Sequence, residues 1–550
     1  MKRRTIASLA ALAAGVSLVA FSLPGASARD AAPTKAAKKG GTLKIDWVES
    51  DTDYIDPALA YYQLSWEVAY STCSKLVNYQ DGNGNDPRAQ NLIPDAATAT
   101  AKVSGDGKSY TYTVKSGLKF SYGEPLTALA YKKTMERTLA KVMSSPSYGF
   151  FNDIAGAAAY NKGTAKSISG ITVSGNKITY KLNKADPTFL ARNAMPFTCP
   201  LPPSLWKNRD KKGIQKTLPG SGPYFISNWA PKRSMIVKTN PNYKGKRPHN
   251  VDEIQFKVNV PAETAVLNVT KGTSDIANGR YANSAYADFK NKFANRYHVD
   301  PELRIDYIAF NTSREPFASN VDLRKAVNNA IDRTAINQLA GVDAGRIQTN
   351  MIPKGIPGYS EANSKLFPLV ADVAAAKTLV GSKAPSAPLV MYSTTGPAGD
   401  ARAQLYKSQF QAAGLQLDVQ QFDRGDQFQK EGVKGAPYDM ADEAWGADYP
   451  DPFDFINILL DGTTIQDSSN VNFAYLNDPA YNTKMADTNK IASPKARLVA
   501  YGQLEKDLST QVVPWAVRGQ ANSRLFSSPR LKTWTYHPIY SLDYGVMSVG

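Results

Sequence analysis

Hydrophobic and polar positions change period several times along this chain, and each change marks an element. Residues 6–23 form an almost unbroken Ala/Leu/Val-rich run, preceded by Lys2, Arg3 and Arg4 and followed by Pro24-Gly25 and Ala26-Ser27-Ala28. A basic head, an apolar middle and a small-x-small exit predict a signal peptide over residues 1–28, cleaved after Ala28. Residues 29–40 then form a flexible leader. The apolar run is nearly long enough for an uncleaved membrane anchor, but its small side chains and Pro24 favour cleavage. Alternation over 41–48 predicts a strand entering a sheet, and 110–114 alternates behind the turn pair Asp106-Gly107, which predicts a hairpin. Helical spacing over 128–143, capped by Thr127, is followed by strands at 170–173 and 177–182. Further strands are predicted at 224–229, 235–239, 253–260 and 304–311. Helices fall at 262–271, ending at Gly272, and at 320–339, ending before Gly341. A strand at 389–392, a helix at 400–413 and a strand at 415–421 complete an alternation that predicts an α/β fold. No internal repeat is visible.

Length changes the picture from one domain to several: 550 residues exceed one ordinary core and call for two or three lobes. Lys and Arg number 65 against 48 Asp and Glu, a net +17. That charge suits nucleic acid, an anionic membrane or a cell-wall polymer. The basic residues fall in short groups such as Lys132-Lys133, Lys211-Lys212 and Lys244 to Arg247, without interleaved aromatics, so no nucleic-acid partner is expected. In an exported chain the surplus would instead hold the protein near anionic envelope polymers. No cysteine lies near the cleavage point, so a lipoprotein anchor is not expected. Cys73 and Cys199 are the only two cysteines. Export favours a disulfide between them; the alternative is two buried thiols acting as small apolar residues.

Several stretches look chemical until their spacing is read. Gly105 to Ser109 ends like a phosphate loop, yet Lys102 stands where the first glycine belongs. Asp81 to Asp86 starts like a calcium loop, but Asp86 replaces the turn glycine and Leu92 the bidentate glutamate. His249, His298 and His537 are widely spaced, so no metal site is expected, and no cofactor either. No GxSxG elbow and no dinucleotide fingerprint occurs, so the chain does not read as an enzyme.

A set of short motifs then recurs in a telling order. Gly40-Gly41-Thr42-Leu43 and Ile55-Asp56-Pro57 open it, followed by Asp106 to Tyr112 and the run Leu118 to Ala128. Gly220-Ser221-Gly222-Pro223-Tyr224 precedes Asn240-Pro241-Asn242-Tyr243. Phe310-Asn311-Thr312, Pro316-Phe317 and Val321 to Val327 come next, and Trp445-Gly446-Ala447-Asp448-Tyr449-Pro450-Asp451-Pro452 closes it. In this order the motifs resemble the solute-binding proteins of bacterial ABC importers, in the oligopeptide, dipeptide and nickel-binding family, over essentially the whole mature chain. The departures are Ser121-Tyr122, where His-Asp is usual, and the missing lipoprotein cysteine.

The resemblance implies a two-lobed, hinged α/β periplasmic-binding-protein fold with an extra inserted lobe. On this chain lobe I takes 41–70, 195–303 and 513–550, the inserted lobe II takes 71–194, and lobe III takes 304–512. Cys73 and Cys199 would then lie side by side at the base of the insertion. The implied function is capture of a peptide between two lobes and delivery to a membrane permease with its ATPase, by a monomer that performs no chemistry. Asp448 occupies the position whose carboxylate meets the ligand's α-amino group in peptide-binding relatives, and Trp445 and Gly446 would line the same cleft. Glu49, Ser50 and Asp51 follow the first strand where relatives present backbone to ligand. Tyr62, with Tyr61 and Trp66, would supply an aromatic wall, and Arg518 would meet a ligand carboxylate unless it serves a structural salt bridge. The alternative cargo is an oligosaccharide, given 29 Tyr and 7 Trp. Nickel is disfavoured by the three histidines.

Overall fold

The computed structural model describes residues 39–48, 53–84, 86–381 and 384–550. The predicted signal peptide and nearly all of the leader lie outside the described residues, as do Glu49, Ser50 and Asp51.

Most predicted elements form within a residue or two of their expected ends. Thr42–Trp47 is the entry strand, and its apolar Leu43, Ile45 and Trp47 are buried. It pairs in parallel with Glu253–Val258 on one side and Ile276–Asn278 on the other. Ser234–Thr239 and Tyr224–Ala230 extend that side of the sheet through antiparallel pairs. Beyond Ile276–Asn278 comes the thirteen-residue strand Trp515–Ser527, which joins two halves of one twelve-stranded sheet. Its first residues pair with Arg304–Phe310 and its last with Tyr297–Pro301 and Ile276–Asn278. From Arg304–Phe310 the sheet continues through Met440–Gly446, Leu389–Thr394 and Leu417–Phe422. The helix Pro397–Ala412 connects the last two strands, as the strand, helix, strand alternation requires.

A second, four-stranded sheet has the order Lys102–Val103, Ser109–Thr113, Lys177–Lys181, Ile171–Ser174. Asp106-Gly107 forms its predicted hairpin turn, with Gly107 at φ +67°, so the phosphate-loop look-alike is a turn. One face of this sheet buries Tyr110, Tyr112, Ile171, Ile178 and Tyr180 together with Tyr131 and Met135 of the helix Ala128–Thr138.

Two helices differ from expectation. The segment 128–143 is helical only to Thr138, with a short 3-10 turn at Lys141–Met143. The segment 320–339 splits into Val321–Ala330 and Arg333–Leu339. There Asp332 accepts the backbone N–H of Ala335 and starts a new helix, a local cap that competes with continuing the old one.

Two cross-links tie the smaller sheet's segment to the larger sheet. Cys73 and Cys199 are disulfide-bonded, with Cα atoms 5.6 Å apart and 126 positions between them. Asp56, in the loop after the entry strand, receives a bidentate pair from Arg137 at the end of Ala128–Thr138, with Nη1 2.7 Å from Oδ1. Both side chains are fully buried. Asp56 also accepts the backbone N–H groups of Ala58 and Ile214, so its lone pairs are satisfied. Removing one partner leaves the other charge buried and unpaired. Asp56→Ala is therefore expected to cost about 3–5 kcal/mol of stability, read as a lowered urea midpoint at unchanged m-value.

Candidate ligand site

The site is built from the segment before the helix Gln63–Thr72 and from the turn after the strand Met440–Gly446. Asp53 organises the first. Its carboxylate accepts the backbone N–H of Tyr54 and of Tyr61, each at 2.7 Å, and of Tyr62 at 3.2 Å. Burial pushes the Asp53 carboxyl up to about 6 despite these donors. Trp66 fixes the other end by donating its indole N–H to the Ala60 carbonyl at 2.8 Å.

Tyr61 reaches Asp448. Its hydroxyl donates to Asp448 Oδ2 at 2.8 Å, across 387 positions of sequence. The Tyr61 ring stands in an aromatic box, with centroids 5.3 Å from Trp66, 5.4 Å from Phe197, and 6.3 Å from Phe150 and Trp445. Asp448 itself is only 7% exposed. Six residues on, Asp454 is fully buried in the first turn of Phe453–Leu460, and its Oδ2 accepts the Asp448 N–H at 2.8 Å. Among the described residues no Lys, Arg or His forms an ion pair with either carboxyl. Burial consequently lifts Asp448 to about 7, offset in part by the Tyr61 hydroxyl, and lifts Asp454 well above the carboxylate range, with Asp448 adding to the effect.

The neighbouring expectations resolve one by one. Trp445 is buried and packs edge-on against Tyr61. Gly446 is exposed, and a Cβ there would meet nothing within 4 Å, so open space adjoins its backbone. Tyr62 places its hydroxyl against Gly425, where an added Cβ would sit 2.7 Å away, so it too spans to the helix Arg424–Glu431. Asp451 pairs with Arg497 at 2.7 Å and accepts the Phe453 N–H, which holds the turn. Arg518 is paired with Asp442 at 2.8 Å, a carboxylate that also holds Arg402 at 2.7 Å. This is the structural salt bridge that the sequence offered beside a ligand contact for Arg518. Two cavities lie away from Asp448, one beside the disulfide, lined by Pro57, Leu218 and Met235, and one around Arg247, Tyr540 and Asp543.

Residues 91–467 match the description "Bacterial extracellular solute-binding proteins, family 5 Middle". The chain belongs to this family. Among curated relatives of this family 5 protein, the probable D,D-dipeptide-binding periplasmic protein DdpA of Escherichia coli is 26% identical over 74% of this chain and 75% of its own. Heme-binding protein A of Haemophilus influenzae is 24% identical over 98% of each chain. Among solved structures, a clavulanic acid biosynthesis oligopeptide binding protein 2 superposes with a TM-score of 0.82 at 21% identity, covering 93% of this chain and 96% of that one. The likeness establishes the multi-lobed binding-protein fold.

Three contributors to the site escaped sequence reasoning. Tyr61 is expected only as wall material, and neither Asp53 nor Asp454 is singled out. The spacing Asp448-x5-Asp454 carries no motif, and a carboxylate in the first turn of a helix such as Phe453–Leu460 is ordinary dipole-favoured placement.

The raised Asp448 carboxyl makes a pH prediction for the empty family 5 protein. A group that titrates near 7 when folded against 3.8 when unfolded keeps its proton longer in the folded state. Its contribution favours folding at low pH and is lost as pH rises through about 7. Asp448→Asn is expected to remove that loss, so the variant gains stability relative to the parent on going from about pH 5 to about pH 8, measured by urea unfolding at the two values.

Proposed function

We propose that this protein captures peptides carrying a free α-amino group between lobes I and III and presents them to the membrane permease of an ABC importer. One observation carries the reading: Asp448 is a buried carboxylate with no cation among the described residues, at the Trp-x-x-Asp turn, beside open space at Gly446. A buried carboxylate is costly unless paired, and a ligand ammonium supplies a charge-assisted hydrogen-bond partner. Tyr61 and Tyr62 reach Asp448 and Gly425 across the sequence, two contacts that support a cleft between these segments. A closed state that gains contacts only with cargo shifts the hinge equilibrium toward the form a permease can recognise.

The lobes are proposed at the boundaries expected from sequence, with lobe I at 41–70, 195–303 and 513–550, lobe II at 71–194 and lobe III at 304–512. The disulfide from Cys73 to Cys199, which brackets nearly all of 71–194, and the shared strand Trp515–Ser527 support this division. Export and residence in the periplasm or cell envelope, with a permease and ATPase as partners, are part of the same proposal, which assigns the chain a binding rather than a catalytic role. The D,D-dipeptide-binding relative agrees with a peptide cargo. A haem cargo would bring carboxylates toward Asp448, a like-charge contact that burial makes unfavourable. An oligosaccharide of neutral sugars would leave Asp448 without a counter-charge.

Calorimetric titration tests the assignment. Free-amine peptides are expected to bind, their N-acetylated forms to bind at least about 30-fold more weakly, and Asp448→Asn to lose a similar factor, the range for removing one partner of a buried charge pair. Equal affinity for free and acetylated peptides would remove Asp448 from this role, and binding of sugars alone would replace the cargo.

A further inference from the structure

The four-stranded sheet has a second face that the fold leaves open. Side chains alternate across a strand, so if Tyr110, Tyr112, Ile178 and Tyr180 face the helix Ala128–Thr138, their neighbours face outward. The register sets these outward residues in rows. Lys102 lies beside Thr111, which lies beside Thr179, which lies beside Thr172. One row further, Ser109 pairs with Lys181, and on the opposite side Thr113 pairs with Lys177 and Lys177 with Ser174. The face is thus three lysines set among six hydroxyl residues. Thr111 and Thr179 hydrogen-bond to each other at 2.8 Å in the central row.

No Asp or Glu occurs in these four strands. Lys102, Lys177 and Lys181 are exposed and form no ion pair among the described residues. The carboxylates elsewhere in residues 71–194 are largely occupied. Asp86 pairs with Arg88, Asp95 with Arg247, Glu136 with Lys132 and Lys133, and Asp153 and Asp186 share Arg192. Glu124 accepts both donors of Ser204. The charge surplus also lies in this half of the chain: residues 71–303 hold 33 Lys and Arg against 16 Asp and Glu, whereas residues 304–512 hold 20 against 24.

We propose that the outer face of this sheet docks a linear phosphodiester polymer, holding the protein within an anionic matrix while the ligand site stays free. Lys177 and Lys181 are four positions apart on one strand, about 13 Å, and Lys102 is two strands away, about 10 Å, so the three ammonium groups span a few phosphates. Ser109, Thr113, Thr172 and Ser174, with the one donor left over by the Thr111–Thr179 pair, supply neutral hydrogen-bond donors to phosphate oxygens, the combination that positions a protein on a phosphate backbone. A bilayer is the less suitable partner, because the face presents no large apolar side chain to enter the headgroup region. The proposal is independent of the peptide reading.

The test measures binding of the purified full-length chain to immobilised poly(glycerol phosphate) over a range of salt. The affinity is expected to fall with salt, with a log–log slope of about −2 for three lysine–phosphate contacts. Reversing Lys102→Glu, Lys177→Glu and Lys181→Glu together is expected to weaken binding by more than about tenfold. Reversing the exposed Lys365, Lys407 and Lys495, an equal change in net charge elsewhere, is expected to leave most of it. Should the triple variant fail to fold by thermal denaturation, the single variants Lys177→Gln and Lys181→Gln give the same comparison at smaller effect. Salt-independent binding, no binding, or equal loss in both triple variants overturns the proposal. Tighter binding to phosphatidylglycerol vesicles than to the polymer overturns it in favour of a membrane surface.

Discussion

The molecule depends on the backbone pairing of one strand. Trp515–Ser527 is hydrogen-bonded to Arg304–Phe310 near its start and to Tyr297–Pro301 near its end, so the same run of peptide groups holds both halves of the large sheet. Its register with Arg304–Phe310 shifts between Asp306 and Tyr307, and a bulge of this kind twists a strand locally. Carbonyls of this region that find no strand partner are met by side chains of the helix Val321–Ala330 and the residue that follows its break. Asn328 donates to the Trp515 carbonyl at 3.1 Å, Arg333 to Val517 at 2.7 Å, and Arg324 to Val512 at 3.0 Å. Burial lowers both guanidinium groups, Arg333 to about 9 and Arg324 to about 10, because their partners are mostly carbonyls rather than carboxylates. The run Val321 to Val327, first noticed as a motif, thus has a physical reason: it places Arg324 where backbone acceptors need a donor.

Gln520 sits where Trp515–Ser527 changes partner from Arg304–Phe310 to Tyr297–Pro301, and there it pairs with Arg346. Its side-chain amide receives the Lys354 N–H at 3.0 Å and donates to Glu302 at 2.7 Å, so a single residue bridges segments from both sides. Gly519 lies directly beneath the Arg346 carbonyl, where a Cβ would be only 2.6 Å away, and any side chain there would force the crossing strands apart.

The fold was legible because periodicity and turn chemistry are local. The hairpin at Asp106-Gly107, the stop at Gly272 and the strand, helix, strand unit from Leu389 to Phe422 follow from neighbouring residues alone. The helix break at Ile331-Asp332 was missed because an apolar stripe continues across it, and only the cap made by Asp332 reveals the interruption. The candidate site was half legible. Asp448 stands in a motif, whereas Tyr61 and Asp454 matter only through contacts the chain makes on folding, and Arg518 could be weighed only once its partner Asp442 was located.

Closing a cleft over a carboxylate raises a difficulty that the structure answers in a specific way. Desolvation opposes ionisation of Asp448, and its one side-chain donor, Tyr61, is neutral. Without a cationic partner the carboxyl therefore carries its proton easily near neutrality, which removes the cost of an unpaired charge. An arriving ammonium reverses the balance, since pairing favours the ionised carboxylate and expels the proton. Binding in this reading is an exchange of one positive charge for another inside the same buried space, and a neutral ligand offers nothing to exchange.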